Sequence, residues 1–134
     1  IFFKLSKQGD ILLSGYNFGI GSSREQAVTS LKAKGIELII AASFSSIFMR
    51  NALNNGYGLI ECPSLIIKLS KLFSRSKKTI RLNSDIKIDF KNCTIKTDLF
   101  KTIFSFKNWN NLEYQLIKKG GLTNFIIEKN RLNK

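Results

Sequence analysis

Apolar positions along this chain fall into short blocks, and their spacing changes as the chain proceeds. Asp10–Ser14 (DILLS) reads as a strand, and Gly15–Gly21 as a glycine-rich loop. From Ser22 onward the spacing becomes helical, with Ala27, Val28 and Leu31 on one face. Ser22 and Glu25 form an S-x-x-E capping box at the start, and Gly35 is a natural stop. Ile36–Ala41 (IELIIA) is an apolar run of the kind a buried parallel strand needs. Ser43 is expected to cap a helix that buries Phe44, Ile47 and Phe48 and ends near Asn55-Gly56. Gly58–Glu61 is a further short strand closed by Pro63, after which Leu65, Ile66, Leu69, Leu72 and Phe73 recur at helical spacing.

After Arg75 the period shortens to two. Thr79–Leu82 and Ile86–Phe90 alternate around Asn83-Ser84-Asp85, which predicts a hairpin. Cys93–Lys96 and Lys101–Phe106 read as two more strands. Asn110 with Glu113 predicts a helix over Leu112–Lys119 that stops at Gly120-Gly121, and a last short helix is expected over Leu122–Glu128. The sum is one α/β domain, a small parallel β/α part followed by an antiparallel part.

Composition narrows the function. The 134 residues and 43% hydrophobic content suit one domain with a real core. No apolar run approaches the ~18 residues of a membrane-spanning helix; Leu38–Met49 is interrupted by Ser43, Ser45 and Ser46. No basic-then-apolar targeting layout opens the chain at Ile1. The net charge of +13 raises nucleic-acid binding as a question. Three features disfavour it. The basic residues are dispersed, with Arg75–Lys78 (RSKK) the one cluster; no aromatic interleaving accompanies them; and the Lys, Asn, Ile and Phe bias is what an AT-rich genome produces. A basic surface does, however, steer anionic substrates.

Cys62 and Cys93 lie far apart, form no C-x-x-C and have no histidine to join them, so two buried thiols are expected rather than a metal site. The absence of histidine excludes Ser-His-Asp and Cys-His catalysis within the chain.

The chemistry concentrates in GYNFGIGSSRE, Gly15–Glu25. Gly19 and Gly21 begin a G-x-G, but Arg24 occupies the third glycine's place, and no GK[ST] follows, so dinucleotide and P-loop readings fail. What remains is a glycine loop entering a helix N-terminus, where free N–H groups and the helix dipole favour an anion. Ser22 as a bare N-cap, Ser23 as a solvated hydroxyl and Arg24 as a surface charge is one reading. A carboxylate site built from the same three side chains is the other. A serine base would need help in either case. The dipole supplies at most ~2 kcal/mol, about 1.5 pKa units, which is far too little to ionise a hydroxyl near neutral pH. Further positive charge would have to come from a metal or from another domain.

Three stretches, GYNFGIGSSREQA (Gly15–Ala27), KGIELIIAASFSSIFMRNALNNG (Lys34–Gly56) and NLEYQLIKKGG (Asn111–Gly121), closely resemble the C-terminal swivel domain of the aconitase family. Tyr16, Gln26 and the KKGGL ending at Lys118–Leu122 resemble the homoaconitase branch more than aconitases or isopropylmalate isomerases, which commonly carry histidine after SSRE. The resemblance implies a swivelling β/β/α fold over residues 1–134. It implies a hydro-lyase that interconverts homoaconitate and homoisocitrate in mitochondrial lysine biosynthesis. Ser22 would be the catalytic base, and Ser23 and Arg24 would bind the carboxylates of a small tricarboxylate. A 4Fe-4S cluster, bound by other domains or a partner subunit and not by this chain, would polarise the substrate's hydroxyl and carboxyl groups. Neither a membrane nor nucleic acid is implied as a partner. Arg50 and Asn51 belong to the IF-x-x-N motif, where packing explains them as well as substrate contact does. The family also carries a DN-x-x-TD-type stretch before the glycine loop. Only residues 1–14 precede Gly15 here, so the domain is expected to be incomplete at its start, with a sheet edge left open. Rival readings are an aconitase, a 3-isopropylmalate dehydratase small-subunit-like domain, a catalytically inactive fragment, and a basic binding module.

Overall fold

The computed structural model describes residues 7–20, 26–73, 82 and 84–119. Three strands, β1 (Ile11–Ser14), β2 (Leu38–Ala41) and β3 (Gly58–Glu61), pair in parallel in the order β1-β2-β3. Leu38 lies opposite Ile11 on one side and Gly58 on the other. Helix α1 (Gln26–Ala33) connects β1 to β2, and α2 (Ser46–Asn54) connects β2 to β3. Helix α3 (Pro63–Leu72) follows, with proline in its first turn, where no N–H is missed.

The period-two geometry of β2 sorts its side chains between two clusters. Ile39 and Ala41 meet Val28 of α1 and Phe48 and Ala52 of α2. Leu38 and Ile40 face the other way, toward Ile60, Cys62, and Leu65, Ile66 and Leu69 of α3. All four β2 residues are buried, which is why the run had to be apolar throughout. At the end of α1, Gly35 takes φ +89°, and a Cβ there would lie 2.8 Å from the Gln8 backbone. Glycine lets the chain turn from helix to strand against that neighbour.

The antiparallel part is β4 (Ile86–Asp89), β5 (Thr94–Thr97) and β6 (Phe104–Ser105), in the order β4-β5-β6. Its Ile95, Phe104 and Phe106 enter the same cluster as Leu38, Ile40 and α3, so the two sheets share one core layer. Helix α4 (Asn111–Lys119) opens with a reciprocal cap. The Glu113 N–H donates to Asn110 Oδ1 (2.8 Å), and the Asn110 N–H donates to Glu113 Oε2 (3.0 Å). Just before it, Trp109 lays its ring on Gly58 and donates its indole N–H to the Leu59 carbonyl (2.8 Å). That bond occupies a carbonyl on the outer side of β3.

Several expectations need correction. Ser43 does not cap α2. The cap is Ser45, whose hydroxyl accepts the Phe48 N–H (3.3 Å) while its backbone stays extended at φ −66°, ψ 145°. The chain is still extended at Phe44, which forms a parallel bridge to Phe18. With the helix starting later, its inner face is Phe48 and Ala52, and Ile47 is 54% exposed rather than buried. Leu72 at the end of α3 is also exposed. Asn83, in the turn of the expected hairpin, lies outside the described residues. Ile86–Asp89 pairs with Thr94–Thr97 through a turn at 90–93, and residues 79–81, the other expected arm, lie outside the described residues. The Asp89 carboxylate fixes that turn by accepting the N–H groups of Lys91 and Asn92 (3.0 Å each) and the Asn92 side-chain amide (2.8 Å). These bonds, the Asn92 backbone bond foremost, hold the Asp89 carboxyl below its ordinary pKa. Cys93, expected to begin a strand, instead closes the turn at φ +54°. Of the two thiols expected to be buried, Cys62 is buried and Cys93 only half-buried. The expected stop at Gly120-Gly121 and the helix over Leu122–Glu128 lie outside the described residues.

Candidate active site

Parallel pairing brings the carboxyl ends of β1, β2 and β3 together, with Ser14, Ala41 and Glu61 in register. Ligands of open parallel sheets sit beyond that end, on the loops that leave it. The loop leaving β1 is the one singled out in the sequence. Its residues Gly15–Ile20 are described; Ser22, Ser23 and Arg24 lie outside the described residues, as does the Ser22–Glu25 capping box.

The loop is pinned before it reaches those positions. The Ala42 N–H donates to the carbonyls of Ser14 (3.2 Å) and Gly15 (3.1 Å), so the strand end is tied to β2. The Asn17 N–H donates to Ser43 Oγ (2.8 Å), the Phe18 N–H to the Ser43 carbonyl (3.0 Å), and the Ser45 N–H to the Phe18 carbonyl (2.9 Å). The Phe18 ring stands edge-on to Phe44 and Phe48, with centroids 6.1 and 5.2 Å away. Gly19 follows at φ +86° directly over Phe48, where a Cβ would come within 2.4 Å of the ring, so only glycine fits both the turn and the contact. Glu61, exposed at the end of β3, accepts the Phe44 N–H on its carboxylate (3.3 Å) and braces the same corner. Tyr16 and Ile20 are largely exposed beside it.

On the far side of the site segment, α1 is anchored by the fully buried Val28. Of the motif residues left without a catalytic assignment, Arg50 is exposed, and the Asn51 carbonyl accepts the Asn55 side-chain amide (2.7 Å) at the end of α2. The sequence reading missed Ser43 and Glu61 as parts of this corner. No local pattern announces either, because their partners lie 26 and 17 residues away in the chain.

The described residues offer an iron–sulfur cluster no set of ligands. Among them no three His, Cys, Asp or Glu side chains come together as a metal site. Cys62 is buried with its sulfur against Ser64 Oγ and the Ser105 carbonyl, and the Cys93 thiol donates to the Phe90 carbonyl.

Known proteins share this arrangement. The sequence profile of the aconitase C-terminal domain matches residues 3–64. A crystal structure of 3-isopropylmalate dehydratase from Methanocaldococcus jannaschii superimposes with a TM-score of 0.78 at 32% identity, over 97% of this chain and 70% of that one. This chain belongs to the aconitase C-terminal domain family. Its glycine loop and SF-x-x-IF segment fall within the matched region. Curated relatives include the mitochondrial homoaconitases of Candida albicans, 38% identical over 98% of this chain, and of Mycosarcoma maydis, 44% identical over 76%. The chain spans 20% and 14% of those two proteins' lengths.

Proposed function

We propose that this aconitase C-terminal domain serves a hydro-lyase that interconverts homoaconitate and homoisocitrate in mitochondrial lysine biosynthesis. The observation that carries the reading is the match, over nearly the whole chain, to relatives named mitochondrial homoaconitase. Ser22 is the base: in the dehydration direction its oxygen accepts the proton next to a substrate carboxylate, and in hydration it returns that proton. The Ser23 hydroxyl and the Arg24 guanidinium hold substrate carboxylates, the guanidinium through paired N–H donors. A loop at the carboxyl ends of three parallel strands is a suitable place for this task. The charge that a serine base requires exceeds what a helix N-terminus supplies, so the other domains of the enzyme complete the site. The 4Fe-4S cluster belongs to those domains, whether on the same polypeptide or on a partner subunit, and this chain contributes no step through it.

The test is substitution in the complete enzyme. Ser22→Ala should lower hydration of cis-homoaconitate by about 10²- to 10⁴-fold, as loss of a general base does, with the circular dichroism spectrum unchanged. A folded Ser22→Ala enzyme with wild-type turnover would overturn the assignment. A second reading has its own support, since the superimposable crystal structure is a 3-isopropylmalate dehydratase. Faster turnover of 3-isopropylmalate than of homoisocitrate would favour it.

A further inference from the structure

Resting on that reading of the site, we propose that Ser43 is a positioning residue: it sets where the segment carrying Ser22, Ser23 and Arg24 leaves the sheet. Ser43 meets the loop with both of its oxygens. Its hydroxyl accepts the Asn17 N–H (2.8 Å) and its carbonyl accepts the Phe18 N–H (3.0 Å). Asn17 sits at φ +55°, a left-handed conformation that asparagine adopts more readily than most side-chain-bearing residues. The Ser43 hydroxyl is what receives the N–H in that conformation. Asn17 in turn accepts the Ile20 N–H on its carbonyl (3.2 Å), so the hold reaches the last described residue before the site segment.

Chain composition makes this anchor consequential. Gly15, Gly19 and Gly21 give the loop wide backbone freedom, and a base must stay within a few tenths of an ångström of its target. Beyond the segment, Val28 of α1 is buried in the core, and before it, the Ser43 bonds hold Asn17 and Phe18. Ser43 lies 26 residues along the chain from Asn17, so the bond ties the site loop to the β2–α2 junction and not to itself. The Ser43 side chain is also free for this work, because Ser45 caps α2.

In the complete enzyme, Ser43→Ala should lower kcat by about 10- to 100-fold, the penalty expected of a misplaced catalytic group, while KM changes by less than about 3-fold. Ser43→Thr keeps the oxygen and should restore kcat to within about 3-fold of wild type. Amide hydrogen exchange gives a second readout: the Asn17 amide should be protected in the wild type and in Ser43→Thr and should exchange freely in Ser43→Ala. A folded Ser43→Ala enzyme with wild-type kcat would sink the proposal. So would wild-type Asn17 and Phe18 amides that exchange as fast as that of exposed Tyr16, a measurement that decides the matter even where Ser43→Ala fails to fold. Ser22→Ala separates the two ideas. If it is fully active, the site reading fails, and the exchange data still decide whether Ser43 holds the loop. If it is inactive while Ser43→Ala is not, the positioning role alone fails.

Discussion

Tyr57 is a buried residue whose hydroxyl links two parts of the parallel sheet. It is 3% exposed, and its hydroxyl donates to the Ile36 carbonyl (2.5 Å), joining the start of β3 to the approach to β2. Burial pushes the phenol's pKa well above its ordinary value, because the phenolate has no water to meet it. The sign follows. The unfolded tyrosine begins to lose its proton near pH ~10, while the folded one keeps it. The contribution to stability is therefore complete below pH ~10 and is lost as pH rises above it toward the raised folded value. Tyr57→Phe should cost about 1–2 kcal/mol at neutral pH, for the lost bond and the carbonyl it leaves behind. Urea midpoints measured across the alkaline range should fall less steeply for Tyr57→Phe than for the wild type. Equal slopes would refute the argument. At this scale the sequence was legible where a residue type has one preferred environment: Val28, Ile39, Ile40 and Phe48 are buried as their apolarity requires. It was illegible for Cys93, whose left-handed backbone is imposed by the Asp89-centred turn and not by anything in its side chain.

Elements were legible where a local signal stood alone and ambiguous where several competed. The cap of α4 was readable from Asn110 and Glu113, and both of its bonds form. The stretch SFSS offered three serines to one helix start, and capping rules alone could not choose among them. Tertiary structure chose: Ser43 is engaged by Asn17, Phe44 bridges to Phe18, and the first serine left with an extended backbone before the helix is Ser45. Ser45→Ala should therefore cost about 1 kcal/mol of stability, the ordinary value of an N-cap, read as a shift in the urea midpoint at unchanged slope. Ser45→Asp should recover most of that loss, since its carboxylate can accept the same N–H beside the positive end of the helix. A neutral Ser45→Ala would mean that the cap is not energetically used. The antiparallel pairing of β4 with β5 likewise depends on a turn. Alternation marked Ile86–Phe90 as a strand, and its pairing with Thr94–Thr97 follows from the turn that Asp89 and Asn92 fix.

The change of period after Arg75 announced two kinds of sheet, and both are present. What it could not announce is that they share a core. That sharing is made by long-range contacts among Leu38, Ile40, Ile60, α3, Ile95 and Phe104, and by Trp109 reaching back to Leu59. A domain with one core should unfold as one unit, whereas two independently packed sheets would come apart in steps. The chain has a single tryptophan, and it reports on the edge of the parallel sheet, while far-ultraviolet circular dichroism follows the helices. Ile95 lies in the antiparallel sheet and is fully buried. Ile95→Ala removes packing on both sides of the shared layer and should cost about 2–5 kcal/mol. Because the layer is shared, the tryptophan and helix signals should move together to the same lower urea midpoint, although the substitution is not in the sheet that Trp109 reports on. Tryptophan and helix transitions both left at the wild-type midpoint would show that the parallel sheet holds its fold without the antiparallel one. The site loop, which rests wholly on the parallel sheet through Ser43, Phe44 and Phe48, would then be insulated from the other half of the domain.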